Sequence, residues 1–182
     1  MLDPYADIFS TLEKPFHHHS NASTVRGALA ALGFEWEEFL SFTTIRNPWA
    51  RAVSFWEYGE KNPQSVWSKR RKETGTFEAF CVSLPRGTAA DRFCGEDGDI
   101  IVKRIICLED VDEAFTKIAT DLRIKLIGAD GTPLDKPPAS GSAVAHVNAT
   151  EHADYRTYHT PRSRQAIADT FASDIEIGGY SF

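Results

Sequence analysis

A chain of 182 residues, 42% hydrophobic and 25% charged, is long enough for one domain with a real core and has the make-up of an ordinary globular protein. Its 26 acidic and 20 basic residues leave a net charge of −6, which excludes a general affinity for nucleic acid or other polyanions. No apolar run approaches the ~20 residues of a membrane span, and the N-terminus lacks a signal-peptide pattern. A cytoplasmic location is the expectation that follows. Three cysteines, Cys81, Cys94 and Cys107, are an odd number without metal-type spacing, so neither a disulfide framework nor a metal site is expected.

Residues 1–16 carry two prolines and no periodicity, and read as an irregular arm ahead of a domain spanning 17–182. His17, His18 and His19 follow; neighbours in sequence seldom converge on one ion, so a metal site there is not favoured. Val25, Ala28, Leu29 and Leu32 predict an amphipathic helix, capped by Asn21 or Ser23 and stopped by Gly33.

The stretch Leu40 to Tyr58 organises the rest. Leu40 to Ile45 is apolar and β-branched, and predicts a buried strand. Asn47 is a good N-cap, and Pro48 falls at the first helical position, where its missing N–H costs nothing. Trp49, Ala52, Val53 and Trp56 then recur at helical steps and give one apolar face. Arg46 stands at the turn between strand and helix. Helix N-terminal amides beside a guanidinium suit a phosphate, and Ser54, two turns in, can offer a hydroxyl. The plainer readings are a salt bridge closing the turn for Arg46 and a solvated helix position for Ser54.

Residues 60–75 are polar, are broken by Pro63 and include the basic run Lys69 to Lys72; they predict a surface loop or short helix. Thr76 to Leu84 predicts a short helix, 85–99 a loop, and Ile100 to Leu108 a second, central strand. Asp110 and Glu113 occupy capping-box positions before a helix with an apolar stripe of Val111, Ala114, Phe115, Ile118 and Leu122. A Gly- and Pro-rich connection over 127–141 leads to a last helix, capped by Thr160 with Pro161 at its first position.

The string FTTIRNPWARAVSFWEYG resembles a segment of the carbohydrate sulfotransferase families written F-x-x-V-R-N-P-W/Y-x-R-x-V-S. Three further stretches agree in order. His19 to Arg26 with Leu32-Gly33-Phe34 fits an H-x-x-A-x-x-[IV]-R pattern before the main motif. Glu109 to Val111 and Leu122-Arg123-Ile124 fit a strand–turn–helix. The tail from His146 to Phe182 fits H-x-N-x-[ST]…Y-x-x-Y…D-[IL]…G-Y-x-F.

The resemblance implies an α/β, P-loop-like three-layer fold, with a central parallel sheet flanked by helices. It implies Arg46 and Ser54 as ligands of the 3′-phosphate of PAPS (3′-phosphoadenosine 5′-phosphosulfate), and His19 as the general base on a carbohydrate hydroxyl. No metal is implied. Animal members are Golgi membrane proteins; the lack of an anchor here suggests a soluble, bacterial-type version.

The family opens with a strand and a P-K-[TS]-[AG]-[GC]-T-[ST]-like loop that holds the 5′-phosphosulfate, and nothing before His19 matches it. The expectation is therefore a domain without its first strand and phosphate loop, with impaired transfer and a strand edge open to self-association. The alternative is an inactive nucleotide- or glycan-binding module. A P-loop kinase relative is disfavoured, because no Gly-Lys-[ST] run and no obvious magnesium carboxylate is present.

Overall fold

Helix signals dominate the sequence, and helices dominate the computed structural model, which describes residues 20–85, 92–122, 126–127, 133–134 and 153–182. The chain divides into two compact units, one of residues 1–43 and 89–104, the other of 44–88 and 105–182.

In the first unit, helix α1 spans Ala22–Ala31 and buries Leu29. Asn21 holds the N-cap position, but its side chain makes no capping bond. Gly33, at φ 84°, ends the helix in a conformation that a residue with a Cβ rarely adopts. A short 3-10 turn, Trp36–Glu38, follows, and the Trp36 indole donates to the Ile101 carbonyl at 2.7 Å. Phe93 is the buried aromatic of this unit.

In the second unit, strand β1 (Phe42–Ile45, continued from the first unit) leads into helix α2 (Pro48–Lys61) in the expected order, but the strand begins at Phe42 rather than Leu40, and only its Ile45 is buried. Helix α3 (Val66–Thr74) and helix α4 (Phe77–Val82) follow. The basic run thus lies on a helix, capped by Ser65 and ended by Gly75 at φ 71°. Helix α3 approaches α2 so closely that a Cβ on Gly59 would stand 2.8 Å from the Trp67 backbone. Phe55 and Trp67 stack at 4.0 Å beside that crossing.

Strand β2 (Arg104–Cys107) pairs with β1 in a two-stranded parallel sheet, so the fold is α/β. Helix α5 (Val111–Asp121) buries Val111, Ile118 and Ala119. The expected capping box is absent: Asp110 is at the N-cap, but its side chain bonds no helix amide. A 3-10 turn over Leu108–Asp110 precedes it, and this turn directs Glu109 to other partners. Leu122, expected in the stripe, is exposed.

A two-residue antiparallel pair, β3 (Leu126–Ile127) with β4 (Pro133–Leu134), forms at the start of the region read as a Gly- and Pro-rich connection. Helix α6 (Pro161–Thr170) has the predicted Thr160 cap, made reciprocal by Ser163, and helix α7 (Ala172–Gly178) completes the order.

The core of this unit joins Trp49 and Ala52 of α2, Phe80 and Cys81 of α4, Leu84, Ile167 of α6, and Phe171. Apolar burial of this kind contributes about 1.5–3 kcal/mol per large side chain. It fixes the first turn of α2, and with it the position of Arg46.

Candidate functional site

The turn that carries Arg46 is held by three sets of bonds. Asn47 is buried and caps α2, its Oδ1 accepting from the amides of Trp49 at 3.0 Å and Ala50 at 3.2 Å. The Asn47 amide donates to Glu109 Oε1 at 3.0 Å. The Asn47 side-chain nitrogen points to Tyr155 Oη at 3.4 Å and to the Ser181 carbonyl at 3.5 Å. Pro48 brings no amide.

The first-turn amides of α2 are therefore all engaged by protein groups. The expectation that they cradle an anion is corrected: any anion here is held by side chains, with only the field of the helix dipole in support.

Arg46 itself is half-buried, at the end of β1. Among the described residues no hydrogen bond or ion pair engages its guanidinium. Burial lowers its pKa from the usual arginine value; the Glu109 carboxylate works in the opposite direction, and the positive charge of Arg51 adds to the lowering. An arginine so placed keeps its fork of donors open, the geometry that planar oxyanions match best.

Ser54 lies on α2, partly exposed, and its hydroxyl makes no hydrogen bond among the described residues. Helical spacing puts Asn47, Arg51 and Ser54 on one stripe. Arg51 is not available to a ligand. Its guanidinium meets the buried Asp174 carboxylate at 2.8 Å and lies 4.5 Å over the Phe171 ring.

Glu109 and Tyr180 complete the surroundings of Arg46. The Tyr180 hydroxyl donates to Glu109 Oε2 at 2.9 Å, with the Cys107 side chain nearby. Burial, then the neighbouring Cys107 and Glu109 side chains, push the phenol far up, so it remains a donor at any physiological pH. The Tyr180 ring folds back onto Gly178, where a Cβ would lie 2.2 Å from the ring and 3.0 Å from Ile45.

A second polar cluster is built on the Trp49 carbonyl. His159 places Nε2 3.2 Å from the Trp49 carbonyl and Nδ1 3.2 Å from Ser163 Oγ. The carbonyl can only accept, so Nε2 carries the proton. Burial lowers the pKa of this imidazole, opposed by the bond to Trp49.

His19, the candidate base, lies outside the described residues, as do His17, His18 and His146 to Thr150. The Lys69–Lys72 run is partly structural. Arg71 lies 4.2 Å over Trp56 and pairs with Glu60 at 2.8 Å, and Arg70 bonds the Ser83 carbonyl, while Lys69 and Lys72 are exposed. Glu109, Tyr180 and Asp174 are the residues that sequence reasoning left without a role. Their signal was the resemblance of the 109–111 turn and the C-terminal tail to the family's patterns, since local spacing cannot join positions so far apart.

Among the described residues no cluster of three or more His, Cys, Asp or Glu could hold a metal ion, and no helix is long and apolar enough to cross a membrane. Comparison of the chain with family models, with characterised proteins and with solved structures finds no match.

Proposed function

We propose that this chain is a sulfotransferase-like domain of P-loop-like, three-layer kind, which binds the adenosine 3′-phosphate of PAPS through Arg46 and Ser54 and serves sulfuryl transfer to a carbohydrate hydroxyl. The observation that carries this reading is Arg46: a half-buried guanidinium, unengaged among the described residues, at the end of a parallel strand and next to the N-cap of α2. A half-buried guanidinium whose donors make no hydrogen bond is stabilised by an oxyanion that fills its fork, and the oxygens of a phosphate monoester can do so in pairs. Ser54 supplies a neutral donor on the same helix.

PAPS, when bound, supplies the activated sulfuryl group. The acceptor oxygen bonds to sulfur, the bond from sulfur to the 5′-phosphate oxygen breaks, and the hydroxyl proton passes to a base, for which His19 is the candidate.

The sequence of residues 1–182 carries no Lys-bearing phosphate loop of the P-K-[TS] kind. That favours a second reading, in which these residues bind the nucleotide without turning it over. A preorganised donor at the leaving oxygen contributes ~2.7–4 kcal/mol to such a step.

Two measurements on the purified chain separate the readings. Adenosine 3′,5′-bisphosphate (PAP) should bind far more tightly than adenosine 5′-phosphate, which lacks the 3′ group. Release of PAP from PAPS with a polysaccharide acceptor then decides between enzyme and binding module. Equal affinity for the two nucleotides would overturn both.

A further inference from the structure

Glu109 is the nearest threat to an open Arg46. Its charge acts on the guanidinium, yet the two groups form no ion pair. Each carboxylate oxygen already accepts from a neutral donor: Oε1 from the Asn47 amide at 3.0 Å and Oε2 from the Tyr180 hydroxyl at 2.9 Å. The amide is backbone and fixed by the α2 cap. The hydroxyl is a side-chain group, placed by a ring that fits only because residue 178 has no Cβ.

We propose that Tyr180 is a positioning residue that holds the Glu109 carboxylate away from Arg46, so that the guanidinium stays open for an anion. This rests on the reading of Arg46 as the phosphate ligand.

The chemistry is a competition. A carboxylate oxygen without a donor turns to the nearest cation, and a carboxylate–guanidinium pair is among the stronger hydrogen-bonded contacts available to it. Tyr180 satisfies that oxygen with a neutral donor that keeps its proton across the physiological range. Glu109 then contributes what the turn needs, a bond to the Asn47 amide, without closing the site. The tail from Gly178 to Phe182 thereby acts on ligand affinity without touching the ligand. Phe182 anchors it, with its ring 5.6 Å from Trp49 and the Arg164 guanidinium 4.3 Å above it.

The test is a double-mutant cycle on the full chain with PAP as the probe, read by calorimetry. Tyr180→Phe should weaken PAP binding on the order of tenfold, within the range of coupling between contacting groups. Glu109→Gln keeps a carbonyl for the Asn47 amide but removes the competing charge. In that background Tyr180→Phe should change PAP affinity by less than about twofold.

The Arg46 Nε–H resonance gives a second readout that needs no ligand. It should move on Tyr180→Phe in the direction of an ion-paired guanidinium, and not move when Glu109→Gln is also present. A Tyr180→Phe loss that persists undiminished in the Glu109→Gln background would assign Tyr180 a merely structural role and overturn the inference. PAP affinity unchanged by Arg46→Ala would instead remove the phosphate reading itself, and the inference with it.

Discussion

Arg51 and Asp174 meet at 2.8 Å across 123 residues of sequence, and the Asp174 side chain is wholly shielded from solvent. The second arginine of the R-N-P-W-A-R string thus fastens α2 to α7, while the first makes no ion pair among the described residues. Removing one member of a buried pair costs up to about 3–5 kcal/mol. Asp174→Ala and Arg51→Ala should each lower stability by that order. In urea titrations the double variant should recover part of the loss. Additive losses would show that the two side chains are not coupled.

Gly178→Ala tests the seating of Tyr180. The added methyl would overlap the Tyr180 ring at 2.2 Å, so the ring must leave Glu109 or the helix end must shift. Overpacking of this kind costs about 1–3 kcal/mol. The expected result is a lower urea midpoint together with weaker PAP binding. A variant with wild-type stability and affinity would show that the tail is not confined as described.

His159 makes stability depend on pH with a definite sign. Its folded pKa is depressed below the ordinary 6.5, chiefly by burial, so the unfolded chain takes up its proton first as pH falls. The stability tied to this residue is therefore complete above about pH 6.5 and is lost as pH drops below it toward the folded value. Urea midpoints measured from about pH 7.5 to about pH 5 should fall more steeply for the wild type than for His159→Gln. Parallel curves would place the acid sensitivity elsewhere.

Much of this was legible in the sequence, and the boundary is physical. The strand–turn–helix around Arg46, the Asn47 and Thr160 caps and the apolar face of α2 follow from local spacing, and local spacing survives folding. The Asp110 capping box does not form, because the 3-10 turn before α5 directs the chain another way. The role of the α2 amides was also misread, since nothing in the local sequence says that Glu109 covers the Asn47 amide from 62 residues away. Tyr180 and Asp174 are visible only as members of a family-like tail, since their partners are set by packing.

Cys81 offers a check on the core. Burial, aided by the nearby Glu78 charge, pushes its thiol up to about 12, so it should stay protonated and inert at pH 8. Cys94 and Cys107 are only partly buried, and neither forms a disulfide among the described residues. Titration with a disulfide reagent under native conditions should therefore modify two thiols readily and the third only on unfolding. Rapid modification of all three would contradict the packing around α4.

The central claim is that Arg46 reads a 3′-phosphate, and a ligand-by-residue cycle tests it most directly. Affinities of wild type and Arg46→Ala are measured for PAP and for adenosine 5′-phosphate. A charge-assisted contact of this kind is worth about 1.5–3 kcal/mol, or roughly 10- to 150-fold. The account predicts a loss of that order for PAP and little change for the nucleotide without the 3′ group. Equal losses for both ligands, or no loss for PAP, would contradict it.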